Sequence, residues 1–342
     1  MTKREKNATI NSKTNGGILM EILMLEPALS PKLWGGTKLI DEYGFRKPEK
    51  EDAIGEAWLL SAHEDGLSTV AEGTYKGKTL PEVIEICGRE ILGTKNAGRD
   101  GFPILIKLID ACDKLSIQVH PGDEYAWEHE NENGKTEAWY IVEAQPGAQL
   151  IYGVNREMTR EEFAADIKNG TLLRDVNSVE VHPGDVVFIP SGMLHAIGTG
   201  ILLAEVQQSS NTTYRVYDYD RIDKDGKKRE LHIEKATDVV TLTAPEVDFR
   251  PAGEPVVTGG AVKTFLTGCE FFSMTRVAVN GSYVDAAEAE SFVSLLVLDG
   301  TGTVSADGKT YELKKGSSVF IPAGTKNYRV EGCGLELIEA RT

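Results

Sequence analysis

The feature that most constrains the fold of this chain is a pattern of twelve residues that occurs twice. The first copy is Gly184-Asp-Val-Val-Phe-Ile-Pro-Ser-Gly-Met-Leu-His195, and the second is Gly316-Ser-Ser-Val-Phe-Ile-Pro-Ala-Gly-Thr-Lys-Asn327. The copies share both glycines and the Val-Phe-Ile-Pro run at the same spacing. Glycine and proline at these positions make a tight bend between two strands. Because the bend chemistry is repeated, the sequence predicts the same fold twice.

The chain between the two copies changes in character from Pro245 to Thr258, where proline, glycine and charged residues replace apolar alternation. Such a change is typical of a domain boundary, and a length of 342 residues also favours two domains. We therefore expect domains at residues 18–245 and 246–342. Residues 1–17 are polar and lack apolar periodicity, so they are predicted to form a flexible leader.

Few segments have helical periodicity. One helix is predicted from Thr79 to Leu92, ended by Gly93, and a second begins with a capping box at Thr159 and closes at Gly170. The remaining chain consists of short apolar runs separated by glycine and proline, a pattern typical of barrels and sandwiches. The fold class is therefore predicted to be mostly β, with two jelly-roll-like barrels and a few short helices.

The first copy of the repeat fits the second sequence motif of cupins, Gly-x5-Pro-x-Gly-x2-His. Its bend is expected to place His195 in the mouth of a small β-barrel. The second copy has Asn327 at the same position, and no histidine follows His232. The second barrel is therefore predicted to lack a comparable metal site and to have a structural role.

Two other segments offer metal ligands to the same mouth. Gln118 and His120 lie two residues apart on a predicted strand, so both side chains point to one face. Glu137 follows in Gly134-Lys-Thr-Glu-Ala-Trp-Tyr140. Imidazole and carboxylate groups suit zinc or another first-row divalent metal. The sequence therefore predicts a metal site formed by Gln118, His120, Glu137 and His195.

Composition and charge exclude several classes of protein. Hydrophobic residues make up 41% of the chain, which excludes a disordered or fibrous protein, and the net charge of −16 argues against a nucleic-acid or anionic-membrane binder. An anionic substrate would then require a local basic cluster. The four cysteines are far apart, no stretch is long and apolar enough to span a membrane, and a cytoplasmic protein is expected.

Several of these segments together resemble the type I mannose-6-phosphate isomerase family in its shorter bacterial form. The resemblance covers most of residues 20–342 and depends on three elements: Phe102 to Pro121, Gly134-Lys-Thr-Glu137, and Glu205-Val-Gln-Gln-Ser-Ser-Asn-Thr-Thr-Tyr-Arg215. The chain departs from the longer members of the family in two respects. Thr136 replaces a proline, and little room remains for a separate helical domain.

The resemblance implies a zinc-dependent aldose–ketose isomerase that interconverts mannose 6-phosphate and fructose 6-phosphate through an enediol. It implies one zinc ion per chain, bound by His120, Glu137 and His195 with Gln118 as a fourth ligand. Arg215 matches the catalytic arginine of the family. The remaining roles stay open among Lys135 and Glu205, which are candidates for proton transfer, and Lys107 and Ser116, which are candidates for binding the phosphate or developing negative charge.

Some alternatives also remain open. One is that Glu205 is a structural carboxylate paired with Arg215. The acidic segment 128–133 is interpreted as a solvated loop at the pocket rim. His63, His129, His182 and His232 are interpreted as structural. Two rival functions are an Fe(II)-dependent oxygenase, because the ligand set alone does not fix the metal, and a non-catalytic sugar-binding cupin. The oligomeric state is left open between monomer and dimer.

Overall fold

The computed structural model describes residues 21–49, 51, 53–222 and 226–342, so the predicted leader lies outside the described residues. Within these ranges the chain is built mainly from strands, as predicted. The strands are β1 (Leu23–Glu26), β2 (Ala28–Ser30), β3 (Glu56–Leu60), β4 (Thr69–Val70), β5 (Ile104–Ala111), β6 (Ile117–Val119), β7 (Glu137–Ala144), β8 (Gln149–Val154), β9 (Val176–Glu180), β10 (Val186–Ile189), β11 (His195–Ile197), β12 (Ile201–Gln208), β13 (Tyr214–Tyr217), β14 (Val256–Thr258), β15 (Ala261–Gly268), β16 (Ser273–Asp285), β17 (Val293–Ala306), β18 (Lys309–Lys314), β19 (Ser318–Ile321) and β20 (Tyr328–Arg341).

Five short α-helices accompany these strands in the described ranges: α1 (Lys38–Asp41), α2 (Leu80–Cys87), α3 (Asp123–His129), α4 (Arg160–Asn169) and α5 (Ile233–Val239). The helix predicted at Thr79–Leu92 begins at Thr79 with a capping box to Glu82, as expected. It ends earlier than predicted, because Gly88 has a φ of 86° and a separate 3-10 turn spans Arg89–Leu92. The capping box at Thr159 and the left-handed Gly170 confirm the second predicted helix.

The first barrel consists of two antiparallel sheets that face each other. One sheet has the order β10-β7-β12-β5-β3-β2, and the other has the order β13-β6-β11-β8-β9. Apolar side chains fill one end of the space between them, including Ile109, Ile141, Leu150, Ile197 and Leu203. The polar residues of the candidate site occupy the remaining space between the same two faces.

The second barrel is a nine-stranded antiparallel sheet with the order β14-β15-β16-β20-β17-β19-β1-β4, in which β18 also pairs with β17. Two strands from the start of the chain therefore belong to the sheet formed by its end. Leu23 pairs with Phe320, and Met24 pairs with Val319. One apolar cluster joins the barrels, because Ile106 and Val206 on the outer face of the first pack with Phe292 and Phe320 of the second.

The repeated bends have the same backbone conformation. Gly184 and Gly192 have φ values of 95° and 85°, and the matching Gly316 and Gly324 have values of 85° and 83°. These values lie in the region that glycine alone adopts at little cost, which explains why both copies keep both glycines. Each first glycine precedes a four-residue strand, β10 or β19, as the repeat predicts. In the described part of the chain, no helix is both long and apolar enough to cross a membrane.

Candidate metal centre and its cavity

The predicted ligands His120, Glu137 and His195 meet at the mouth of the first barrel. His120 directly follows β6, Glu137 begins β7, and His195 begins β11. The register explains how they meet, because His195 pairs with Gln118 on the neighbouring strand while Glu137 comes from the opposite sheet. One ligand atom from each of the three residues lies within 4.8 Å of the others, and all three side chains are buried.

The two imidazoles are oriented by backbone carbonyl groups. Nδ1 of His120 lies 2.9 Å from the carbonyl oxygen of Thr212, and Nδ1 of His195 lies 2.9 Å from that of Met193. A carbonyl can only accept, so each Nδ1 carries the proton and each Nε2 presents a lone pair. These lone pairs face the carboxylate of Glu137, at 3.3 Å from His195 Nε2 to Oε1 and 3.7 Å from His120 Nε2 to Oε2.

This arrangement fits a bound divalent cation. Oε1 of Glu137 is buried without a hydrogen-bond donor, and its near neighbour, His195 Nε2, is itself an acceptor. Burial and the charge of Lys135 lower the pKa of both histidines, so the imidazoles are neutral, as metal ligands must be. The ammonium of Lys135 already contacts His120 Nε2, at 2.9 Å, and the carboxylate of Glu137. The lone pairs of His120 Nε2 and of the Glu137 carboxylate thus already attract a cationic group. Two imidazoles with one carboxylate suit zinc or a related metal.

Gln118 lies beside this cluster, as its strand position predicts. Its Nε2 atom is 3.4 Å from His195 Nε2, and its side chain also faces the cavity described next. The amide oxygen is its only group suited to binding a metal. Its role as a fourth ligand stays a prediction.

A cavity of about 310 Å³ lies beside the cluster, and Gln118 and Lys135, which contact the cluster, also line the cavity. Its polar lining includes the predicted residues Lys107, Ser116, Gln118, Lys135, Glu205 and Arg215. It also includes Lys32, Glu56, Asn211, Thr213 and Arg229, which the sequence analysis did not single out. Five of these side chains are cationic and two are anionic. An acidic chain thus contains the local basic cluster that an anionic substrate requires.

One wall of the cavity is a row of paired residues on four adjacent strands. In register, Trp58 pairs with Lys107, Lys107 with Glu205, and Glu205 with Trp139. The Lys107 ammonium lies 4.8 Å from the centre of the Trp58 ring and 3.3 Å from Glu205 Oε1. Trp139 Nε1 donates to the other oxygen of Glu205 at 2.8 Å. Glu205 is therefore paired with Lys107, and its interpretation as a partner of Arg215 is wrong.

Lys107 and Glu205 keep each other charged. Burial alone would lower the pKa of Lys107, but Glu205 and Glu56 outweigh it and raise the pKa. Burial alone would raise the pKa of Glu205, but Lys107 and Lys135 outweigh it and lower the pKa. At neutral pH the cavity therefore contains a fixed ammonium beside a fixed carboxylate.

Arg215 occupies another wall, where it pairs in register with Gln118. Its Nε donates to Ser116 Oγ at 3.3 Å, and its Nη1 donates to the carbonyl of Glu230 at 3.2 Å. Burial and the nearby Arg229 lower its pKa from the ordinary arginine value. Arg215 is thus held by neutral oxygen atoms, and its charge is available to an anion in the cavity.

Of the residues missed by sequence reasoning, Glu56 begins β3 and the others come from connecting segments. Lys32 lies 3.5 Å from Glu56 across the entrance, and Arg229 makes two hydrogen bonds to Asp218 through one guanidinium. Arg229 belongs to the basic run Lys227-Lys-Arg229, which carried no periodicity or motif. The positive charge of that run was the one sequence feature that could have indicated Arg229 as a cavity residue.

The other predicted interpretations have mixed outcomes. His63, His129, His182 and His232 lie outside the metal cluster of the described residues. The acidic segment 128–133 is only partly a solvated loop. Glu128 is exposed, but Glu130 and Glu132 accept hydrogen bonds from the chain segment that leads to Arg215.

Comparison with known proteins gives a consistent result. Residues 22–165 match the model of the phosphomannose isomerase type I catalytic domain, and residues 261–341 match that of the mannose-6-phosphate isomerase cupin domain. Mannose-6-phosphate isomerase of Streptococcus mutans is 39% identical over 95% of this chain and 99% of its own length. The crystal structure of mannose 6-phosphate isomerase from Bacillus subtilis has a TM-score of 0.85 and 39% identity, covering 93% of this chain and 99% of that chain.

Proposed function

This chain belongs to the type I phosphomannose isomerase family, and on that premise we propose that it interconverts mannose 6-phosphate and fructose 6-phosphate as a metal-dependent aldose–ketose isomerase. The observation that carries the proposal is the junction of a buried His-Glu-His cluster with a cavity rich in cations. The similar proteins are named as isomerases, so the comparison does not favour the two rival functions, an Fe(II)-dependent oxygenase and a non-catalytic sugar-binding protein.

The proposed cofactor is one zinc ion per chain, held by His120, Glu137 and His195, with Gln118 as a further ligand. When bound, such an ion supplies positive charge that stabilises an oxygen atom becoming negative. The protein supplies neutral imidazoles and a carboxyl group whose pKa burial raises to about 7, in a buried setting that strengthens electrostatic attraction to a cation. The unpartnered Oε1 of Glu137 supports this assignment.

The isomerisation moves a proton between two neighbouring carbons of the sugar, so it needs a group that can accept and return that proton. Two residues of the cavity are proposed for this step, Lys135 and Glu205. Lys135, which contacts the metal ligands, can accept a proton only in its neutral form, whereas Glu205 is already an ionised carboxylate held by Trp139 and Lys107. Lys107 is assigned to charge stabilisation, because its raised pKa keeps it protonated and unsuited to act as a base.

We propose that the phosphate group of the substrate is bound by Arg215, Ser116 and Arg229. Ser116 directly precedes strand β6 and His120 directly follows it, and a rise of about 3.3 Å per residue separates them by about 13 Å. The two ends of this segment therefore suit a molecule with a reactive carbonyl at one end and a dianion at the other. Arg215 and Arg229 can each present several N–H donors to phosphate oxygens.

The test is an isomerase assay on the purified chain with mannose 6-phosphate, performed before and after removal of metal with a chelator. We expect activity that disappears with metal removal, returns with zinc, and persists under argon. Unphosphorylated mannose serves as the control substrate and should react far more slowly. Absence of activity in the zinc-loaded protein would contradict the proposal, and a requirement for oxygen would favour the oxygenase.

The cellular setting is proposed to be the cytoplasm. The four cysteines support this, because all of them are free thiols and two are exposed. Binding of nucleic acid or anionic membranes is not part of the proposal, since the chain carries a net charge of −16. The oligomeric state is open between monomer and dimer, and a sedimentation measurement would decide it.

A further inference from the structure

The loop between α3 and β7 holds the segment of residues 209–215 at several points. Glu130 accepts hydrogen bonds from the hydroxyl of Tyr214 at 2.8 Å and from Lys235 at 2.6 Å. Asn133 donates to the carbonyl of Ser209 at 3.1 Å. Glu132 makes the central contacts, described next. The loop therefore anchors the segment that ends in Arg215.

Both carboxylate oxygens of Glu132 accept hydrogen bonds. Its Oε1 accepts the backbone N–H of Asn211 at 2.9 Å and lies 2.8 Å from Nε2 of His63. Its Oε2 accepts the hydroxyl of Thr212 at 2.5 Å. Nδ1 of His63 accepts the N–H of Asp65, so Nε2 carries the proton that His63 donates to Glu132. Burial opposes ionisation, but these donors outweigh it and lower the pKa of Glu132 to about 2.

These contacts lead directly to a metal ligand. Thr212, whose hydroxyl binds Glu132, supplies the carbonyl oxygen that accepts Nδ1–H of His120 at 2.9 Å. That hydrogen bond fixes the tautomer and the ring orientation of His120, and thus the direction of its Nε2 lone pair. A shift of the Thr212 carbonyl would therefore turn the imidazole away from Glu137 and His195.

Glu132 is also connected, through His63 and Trp58, to the cavity wall that contains Lys107. His63 packs edge-on against Trp58, with ring centres 5.7 Å apart. Trp58 in turn supports the Lys107 ammonium. Glu132 thus connects the segment that orients a metal ligand with the wall that carries Lys107 and Glu205.

We propose that Glu132 is a positioning residue, which fixes the Thr212 carbonyl and thereby orients His120 for metal binding. The inference rests on the proposed metal-dependent function. Glu132 does not itself contact the cavity or the ligand cluster, so its effect passes through Thr212. Removal of a group that hydrogen-bonds directly to a metal-ligating histidine, as the Thr212 carbonyl does to His120, commonly changes metal affinity by about 10- to 100-fold. Glu132 acts one hydrogen bond further away, so its effect is expected at the lower end of this range.

The test measures how fast zinc leaves the protein in the presence of a chromogenic chelator, comparing the parent with Glu132→Ala, Glu132→Gln and Glu128→Ala. Glu128 lies on α3 near the same loop and is exposed, so it is the matched control. We expect Glu132→Ala to release zinc about 10-fold faster or more. Glu132→Gln should restore most of the difference, because its amide oxygen still accepts hydrogen bonds. Glu128→Ala should behave as the parent.

A cobalt(II)-substituted sample supplies a second readout that does not depend on catalysis. We expect the visible absorption bands to change in Glu132→Ala and to remain unchanged in Glu128→Ala. If Glu132→Ala does not fold, Thr212→Val removes the hydroxyl contact while keeping the carbonyl, and it should accelerate zinc release by a smaller factor. Parent-like release rates and spectra in the Glu132 and Thr212 variants would overturn the inference, even with a fully active parent. A parent that binds zinc but does not isomerise the sugar would instead contradict the proposed function alone.

Discussion

The two barrels share the same bend but use the residue after it differently. In the first barrel the bend ends at His195, which is buried and faces Glu137. In the second barrel the same position is Asn327, which is exposed. Both copies have the two glycines, with positive φ values that agree within 10°. The comparison teaches that the bend chemistry determines the local fold, whereas the residue that follows it determines whether a site forms.

The polar interiors of the two barrels also differ in charge balance. In the second barrel, Glu339 accepts hydrogen bonds from Lys263 at 2.9 Å and from Arg341 at 2.9 Å, and Asp285 also pairs with both cations. Two cations and two carboxylates therefore neutralise each other. The first barrel instead has a surplus of cations in its cavity and a carboxylate oxygen without a donor. A balanced network supports a structural role, and an unbalanced one supports ligand binding.

The largest expected effect is in the first barrel. His120→Ala or His195→Ala should abolish tight zinc binding and lower turnover on the order of 1,000-fold or more, because only one histidine, Glu137 and the weak amide ligand Gln118 would remain. Metal analysis and an isomerase assay on the same sample check this outcome. Gln118→Ala is the matched comparison and should have a milder effect, since water can replace an amide ligand. Full activity in a metal-free His120→Ala/His195→Ala double variant would show that the first barrel does not hold a catalytic metal site.

The second prediction concerns the cation surplus. Arg215→Ala should lose roughly 3 kcal/mol or more of transition-state stabilisation if its guanidinium faces developing charge. Arg215→Lys should keep the metal and the fold but turn over more slowly, because a point charge does not replace a planar group with several donors. Steady-state kinetics at equal zinc occupancy separate the two roles. A change in KM alone would assign Arg215 to the phosphate, and parent-like constants would exclude it from the site.

A smaller effect of another kind is expected in the second barrel. Glu339→Gln removes the charge from a nearly buried acceptor of two cations, so the free energy of unfolding should fall by about 2 kcal/mol. Because this network is balanced and lies outside the cavity, kcat and KM should not change at a temperature where the variant is folded. Denaturant unfolding and steady-state kinetics test both parts. A loss of turnover without a loss of stability would contradict the structural role of this barrel.

The smallest effect is expected at the position that matches His195. Asn327→Ala should leave the isomerase rate within a few-fold of the parent, because Asn327 is exposed and the one candidate ligand cluster of the described residues lies in the first barrel. Asn327→His should not create a second metal site for the same reason. The metal content of both variants, measured beside the parent, checks the two expectations. An additional bound metal ion in Asn327→His would show that the barrels differ less than we infer.

The repeat and strand periodicity predicted the main features of the fold, because the bends and the β-strands depend on local chemistry. The helix at Thr79 was predicted too long, since the periodic residues continue through Gly88 although the backbone turns there. The pairing of β1 with β19 was not predictable, because a short apolar strand does not encode the sheet that it joins. The predicted domain boundary between residues 245 and 246 remains a prediction. In the structure, β1 and β4 lie before that boundary in the sequence but belong to the sheet of the second barrel.

For the site, strand parity and the bend located the residues that meet at the candidate metal centre. His120, Glu137 and His195 were predictable because each lies in a segment with a motif. Lys32, Glu56 and Arg229 were not, because tertiary contacts rather than spacing bring them to the cavity. The same reason explains Glu132, whose partners are 69 to 80 residues away in sequence.

The most direct test of the central claim is a titration of the metal-depleted protein with zinc while isomerase activity is measured. The account predicts that activity rises in proportion to added zinc and stops rising at one equivalent per chain, because the first barrel holds the one candidate ligand cluster among the described residues. The His195→Ala variant, titrated in parallel, should gain no activity. Activity that is already complete in the metal-depleted protein, or that continues to rise to two equivalents per chain, would contradict the account.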